Sequence, residues 1–152
     1  MLSKICICAA SPRGRSLQWS DPVTIPFFCV FLMYLLILAT KGPVGFAQWR
    51  SEGGYDNSTP REQQAALEGW ARRAVGAHNN TLEAFPVFAA AVMVAHLGGA
   101  DTQHAALASV TFIAARTMYP VLYILDIQLG RSIVWTFGYV VCGVLMVLPL
   151  FA

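Results

Sequence analysis

Two charged side chains, Glu83 and Arg116, lie inside long apolar stretches of this 152-residue sequence. Ionisable groups are costly within a membrane, so they tend to face a bundle interior or a water-filled cavity and indicate where function resides. At 100° per residue, Asn80 and Glu83 fall within about 60° of each other on a helix, whereas His78 points about 160° away from Asn80. An amide and a carboxylate on one face can bind a polar ligand or link neighbouring helices by hydrogen bonds. His78 is predicted to be structural.

A second polar stripe follows one face of the next apolar segment. Arg116, Tyr119, Tyr123 and Asp126 lie within about 80° of arc on a helix. Arg116 needs a partner at its depth, and Glu83 on the neighbouring helix is the predicted one. The pair is interpreted as a structural ion pair, as part of a clamp for a ligand carboxylate, or as both.

The last apolar segment is predicted to begin with Arg131 and Ser132, and Trp135 and Tyr139 follow on one face. Arg and Trp at the start of a membrane helix are often simple interfacial anchors. Here, however, Arg131 and Ser132 stand at the same depth as the polar groups of the two preceding segments. Three helices are therefore predicted to bring hydrogen-bond donors and acceptors to one level.

The composition determines which elements can position these groups. Apolar residue types make up 57% of the chain and charged residues 12%, about half the charged fraction of a soluble domain. The apolar runs are too long for strands, and a bilayer admits only helices or closed barrels. We predict an all-α membrane protein, a four-transmembrane-helix bundle over residues 23–152, with helices at about 23–49, 69–97, 104–126 and 131–151.

The segments outside the predicted helices are polar. Residues 1–22 are predicted to be a disordered N-terminal tail or leader, because they are serine-containing and mildly basic. Ser51 to Glu68 is predicted to be a solvated loop, and Gly98 to Asp101 a turn. The first helix is expected to continue past Pro43 to Trp49.

Charge and cysteine patterns exclude several functions. The net charge of +2 has no dense basic cluster, so nucleic acid is not predicted as a partner. No Cys-x-x-Cys pair occurs, so neither a zinc site nor a disulfide framework is predicted. Because basic residues favour the cytoplasmic side, loops one and three are predicted to lie in the cytoplasm. The basic residues concentrated around the first loop are Lys41, Arg50, Arg61, Arg72 and Arg73.

These motifs together resemble the MAPEG family, the membrane-associated proteins in eicosanoid and glutathione metabolism. The resemblance is carried by His78 to Pro86, by Arg116 to Tyr123 and by the Arg131-Ser132 pair, and it is closest to small bacterial members. It implies a homotrimer of four-helix bundles in a bacterial inner membrane. It also implies glutathione as cosubstrate, bound between subunits near the cytoplasmic side.

The resemblance also implies roles for individual residues. Asn80 and Glu83 would contact the peptide part of glutathione, with Glu83 meeting its amino group. Arg116 and Tyr123 would help to hold the carboxylates and the backbone of glutathione.

The implied catalytic residues are Arg131 and Ser132, beside the glutathione sulfur. A thiol with a pKa of about 8.5 is only slightly ionised at neutral pH, and a nearby guanidinium or hydroxyl donor favours the thiolate. The thiolate would attack a lipophilic electrophile or reduce a hydroperoxide. This second substrate would arrive from the bilayer along the Trp135 and Tyr139 side.

The sequence departs from the eicosanoid-metabolising members at three positions. Gly76 stands where they often carry a basic residue, the uncharged Asn79 follows His78, and Trp135 replaces a Tyr of some members. Fewer positive groups are therefore available for the glutathione carboxylates.

Two other functions are compatible with the sequence. A non-catalytic lipid-binding or scaffolding membrane protein would use the same fold without turnover. A small proton-coupled exporter would use Glu83 as its carboxylate, although the usual small exporters carry theirs in the first helix.

Overall fold

The computed structural model describes residues 24–152, and the tail or leader predicted for residues 1–22 lies outside the described residues. This part of the chain is all helical and contains no strand. Five α-helices are followed by a short 3-10 turn at Leu148–Phe151: α1 Ile25–Trp49, α2 Pro60–Ala66, α3 Gly69–Leu97, α4 Thr102–Ile124 and α5 Gln128–Val147.

Four of the helices are long and apolar enough to cross a membrane, namely α1, α3, α4 and the α5 segment extended through the 3-10 turn. At 1.5 Å per residue, the 25 residues of α1 span about 37 Å, which exceeds a hydrocarbon core of roughly 30 Å. The four predicted membrane-spanning helices are confirmed, as expected for an integral, multi-pass membrane protein.

The helix ends follow local sequence signals. Asp101 caps α4 by accepting hydrogen bonds from the backbone N–H groups of Gln103 and His104, which holds the pKa of its carboxyl below the usual range. As expected, α1 continues through Pro43 to Trp49. The last transmembrane helix begins at Gln128, three residues before the predicted start, so Arg131 and Ser132 lie inside its first turns.

The bundle core lies between α1, α3, α4 and α5. Its centre is a stacked pair of rings from α3 and α4, Phe88 and Phe112, whose centroids are 4.0 Å apart. Met33 from α1 and Leu145 from α5 are fully buried in the same cluster. Alanines at most of the other α3 core positions allow the helices to approach closely.

The stretch from Ser51 to Glu68 is more ordered than the predicted solvated loop, because it contains α2. The fully buried Gln48 at the end of α1 donates from Nε2 to the Pro60 carbonyl (3.1 Å) and to Gln63 Oε1 (3.1 Å). Its own Oε1 accepts a hydrogen bond from Gln64 (3.2 Å). These amide contacts, which have no periodic signature in sequence, tie α2 to the end of α1.

Candidate functional site

The six predicted site residues lie on three helices and form two groups. Asn80 and Glu83 are on α3 and meet Arg116 of α4. The remaining three face a cavity between the ends of α4 and α5: Tyr123, Arg131 and Ser132.

Arg116 is the largest fully buried side chain in the described part of the protein. Its Nη2 donates to both the backbone carbonyl of Asn80 (3.0 Å) and the side-chain Oδ1 of Asn80 (2.9 Å). The guanidinium carbon lies 4.6 Å from the centre of the Tyr119 ring. Gly138 on α5 packs against the arginine, and a Cβ there would lie at an ordinary contact distance of 3.5 Å from Arg116 Cδ.

Two donors of this guanidinium are unsatisfied. Within residues 24–152, Arg116 Nε and Nη1 have no hydrogen-bond partner and no access to solvent. A buried donor without an acceptor costs about 1–3 kcal/mol, and more when the group is charged. The region around Arg116 therefore favours an additional acceptor or anion.

The predicted direct pairing of Arg116 with Glu83 is wrong. Asn80 lies between them: its Oδ1 accepts from Arg116, and its Nδ2 donates to Glu83 Oε2 at 3.3 Å. Glu83 itself is exposed on the outer face of α3. The error arose because depth along the helices was known from sequence, whereas the side of α3 that faces α4 was not.

The cavity between α4 and α5 has a volume of about 400 Å³. Its lining combines one cation with several hydroxyl groups and an indole: Arg131, Tyr119, Tyr123, Ser132, Thr136 and Trp135. The Arg131 guanidinium lies 4.3 Å from the centre of the Tyr123 ring, a cation–π contact. This lining can donate hydrogen bonds to an anionic atom while contacting apolar surface on the Trp135 side.

Tyr119 connects the two groups. One face of its ring lies against Arg116, it packs edge-to-face on Tyr123 (5.6 Å between centroids), and it lines the cavity. Tyr119 was predicted as part of the polar stripe of this helix but not as a site residue, and Thr136 was not predicted. Helical spacing could have identified Thr136, which lies one turn after Ser132.

The Ser132 hydroxyl is engaged within its own helix. Its Oγ donates to the Gln128 carbonyl at 3.1 Å. The hydroxyl must leave this carbonyl to donate to a ligand, whereas within residues 24–152 the Arg131 guanidinium makes no hydrogen bond and lies over the Tyr123 ring. Arg131 is therefore the more available donor of the two predicted catalytic residues.

Gly76 allows α3 and α4 to approach closely beside the cavity. A Cβ at Gly76 would lie 2.6 Å from Tyr123 Oη and 2.9 Å from its Cζ. The space beside Gly76 is thus filled by the Tyr123 ring, which a side chain at position 76 would displace.

His78 and Asp126 have structural surroundings. His78 is buried, and its Nδ1 lies 3.0 Å from the hydroxyl of Thr40 on α1. Asp126 lies beyond the end of α4, at a positive φ of 62°, so it is not part of the predicted helical stripe. It faces Arg73 at 3.8 Å, and Arg73 also donates to the Ile124 carbonyl.

A second, smaller cavity lies between α1, α3 and α4, with a volume of about 220 Å³. Its lining is mostly apolar and includes Thr40, Pro43 and Pro120. None of the predicted site residues contributes to it.

Comparison with known proteins gives one result. No curated protein and no solved structure matches the chain. A family model described as MAPEG family matches residues 23–151, which include all four membrane-spanning helices and both groups of site residues. The chain belongs to the MAPEG family.

Proposed function

We propose that this protein is a glutathione-dependent transferase or peroxidase that acts on lipophilic electrophiles as a homotrimer. Membership of the MAPEG family, which includes such enzymes, supports this function. The observation that carries the proposal is the cavity of about 400 Å³ lined by Arg131 and several hydroxyl groups at one end of the bundle. Its volume falls within the range of small-ligand pockets.

In this proposal, α3 holds the peptide part of glutathione. Glu83 receives the amino group, and the Nδ2 of Asn80 donates beside it. Arg116 acts behind them as a positioning residue, because its two hydrogen bonds fix the orientation of the Asn80 amide. Tyr123 borders the cavity and contacts the glutathione backbone.

Arg131 and Ser132 are proposed to stabilise the thiolate. A thiol of pKa about 8.5 is a few per cent ionised at neutral pH, and a guanidinium beside it raises that fraction. The thiolate sulfur then forms a bond to an electrophilic carbon while the leaving group departs with its electron pair. The apolar substrate would enter from the bilayer past Trp135, whose ring packs on Tyr139 at 4.5 Å.

The proposed orientation follows the basic residues. The end of the bundle that carries Arg50, Arg72 and Arg131 would face the cytoplasm, where glutathione is available. A bacterial inner membrane is the proposed location. The proposed glutathione site is open to the outside at the exposed Glu83. This supports assembly with further copies, which would cover that side of the site.

Glutathione-induced thermal stabilisation of the detergent-purified protein tests binding, and conjugation of a generic aryl halide tests turnover. We expect a shift in Tm at millimolar glutathione and a conjugation rate that falls in Arg131→Gln. Arg61→Gln, on the exposed face of α2, is the matched control for removal of one arginine. The absence of any shift at millimolar glutathione overturns the proposal.

The same preparations distinguish the two other functions. Lipid binding without turnover in any thiol assay would identify a non-catalytic lipid-binding protein. Proton-dependent dye efflux from proteoliposomes that is lost in Glu83→Gln would identify an exporter. Either result contradicts the proposed enzyme.

A further inference from the structure

The inference concerns two exposed charges within the membrane-spanning helices, Lys41 on α1 and Glu83 on α3. The ion pairs in residues 24–152 join Arg73 with Asp126 and Asp101 with His104, so neither charge is paired there. An ionised group on the outer face of a membrane helix is costly unless a partner or water covers it. Water, the membrane surface or a group from another molecule must therefore cover each of these charges.

The two charges cannot meet within one chain. Lys41 follows Thr40, whose hydroxyl lies 3.0 Å from His78 Nδ1, so Lys41 is on the His78 side of α3. Glu83 is five residues after His78, which places it about 140° away around α3. Glu83 therefore faces away from α1. Glu83 and Lys41 lie on two different outer surfaces of the bundle.

The two charges lie at compatible depths. Helices α1 and α3 run antiparallel, as the contacts of Phe27 with His96 and of Phe46 with Trp70 show. Side chains lean toward the N-terminus of their own helix. The Lys41 ammonium therefore extends further into the span, while the Glu83 carboxylate is directed back toward the level of Lys41.

We propose that Lys41 of one copy forms an ion pair with Glu83 of the next copy, repeated around a closed ring. Because the contact joins two different surfaces, it is head-to-tail, and head-to-tail contacts close into rings when the rotation permits. Copies related by an axis along the membrane normal keep equal depth, so the pairing repeats at every interface. This inference rests on the homo-oligomer of the proposed function and names the contact that joins its copies. Because a carboxylate accepts through two oxygens, Glu83 can meet both Lys41 of the next copy and the glutathione amino group.

The chain is suited to a direct chemical test, because Lys4 and Lys41 are its only lysines. Dicyclohexylcarbodiimide, an apolar reagent that enters bilayers, activates a carboxyl group and couples it to an amine only when the two are in contact. The oxygen lost from the carboxyl leaves in the urea by-product. When this reagent is applied to the protein in nanodiscs, we expect covalent dimers and larger covalent oligomers. Both should contain an amide-linked Lys41–Glu83 peptide.

Two matched variants make the test specific for contact between copies. Lys41→Arg keeps the positive charge but cannot form the stable amide, and Glu83→Gln removes the carboxyl group. Each variant alone should give no Lys41–Glu83 cross-link. Co-expression of the two with different tags should give a covalent dimer of one copy of each, because the single reactive pair then joins separate chains. Glu52→Gln, which changes an exposed loop carboxylate, should leave cross-linking unchanged.

Three results overturn the pairing. They are a Lys41–Glu83 amide confined to the monomer band, no mixed dimer on co-expression, and an N-acylurea adduct on Glu83 without any amide. The last shows that the carboxylate was activated with no amine within reach. A glutathione-induced thermal shift without cross-linking overturns this contact and leaves the proposed enzyme standing, whereas cross-linking without a shift confirms the contact and contradicts glutathione binding.

Discussion

Substitution of Gly76 tests how α3 and α4 shape the cavity. A Cβ at this position would lie 2.6 Å from Tyr123 Oη, 2.9 Å from Cζ and 3.1 Å from Cε1. Real Cβ atoms do not approach other atoms so closely, so Gly76→Ala must displace the Tyr123 ring. The ring would lose its contact with Arg131, 4.3 Å from its centre, and would move toward the cavity.

The magnitude follows from two opposing effects. Replacement of a helical glycine by alanine favours the helix by up to about 1 kcal/mol. Overpacking of a filled interface costs about 1–3 kcal/mol. Gly45 on α1 is the matched control, because nothing lies within 4 Å of a Cβ built there. At about 2–4 °C per kcal/mol, Gly76→Ala should melt roughly 2–12 °C below Gly45→Ala.

Thermal unfolding in detergent measures this difference in Tm. The same substitution in a Tyr123→Ala variant tests whether the Tyr123 ring is the obstruction. In Tyr123→Ala the obstructing ring is absent, so Gly76→Ala should become as favourable as Gly45→Ala. Glutathione-induced stabilisation should weaken in Gly76→Ala alone. If Gly76→Ala destabilises the protein equally in both backgrounds, Tyr123 is not the obstruction and the assignment of this contact is refuted.

Three further predictions concern the polar contacts of the bundle and its loop. Asn80→Ala removes the side-chain acceptor of the buried Arg116 and should cost about 1.5–3 kcal/mol in thermal unfolding, whereas Arg116→Met, which also removes the buried charge, should cost less. Gln48→Ala should release α2 from α1, seen as faster hydrogen exchange over residues 54–66 while the transmembrane helices remain protected. Hydrogen bonds from the side chains and backbone of Ser58 and Thr59 hold the pKa of Asp56 well below its usual range. Because this pKa is lowered on folding, the loop is stabilised above the unfolded pKa of about 3.9 and loses that stabilisation as the pH falls through the lower folded value. Loop proteolysis should therefore be constant between pH 5 and 8 and rise only in strong acid, and Asp56→Asn should abolish this dependence.

The helices were more predictable than the contacts between them. The apolar runs and the turn at Gly98 to Asp101 identified four spans, because a membrane helix is determined by the local density of apolar residues. The bounds of α3 agree with the prediction, whereas α5 begins earlier, since Leu129 is the single large apolar residue between Gln128 and Gly130. The short helix α2 was missed because side-chain amides from Gln48, Gln63 and Gln64 order it.

The candidate site was predictable in its residue types and depth. Sequence spacing placed polar groups of three helices at one level, and the structure brings Tyr123, Arg131 and Ser132 to one cavity. Pairing across helices was not predictable: Arg116 binds Asn80 rather than Glu83. Helical periodicity relates side chains on the same helix, but it does not determine how that helix is rotated against its neighbour.

The sequence by itself determined that this protein is a helical membrane protein with four spans, and its motifs identified the family, because hydropathy and local spacing are properties of single segments. Only the tertiary structure decided which surfaces meet. It enclosed Arg116 behind Asn80, left Glu83 exposed on the outer face of α3, and set Tyr123 against Gly76. These outcomes depend on helix rotation and close packing, which involve residues from several segments at once.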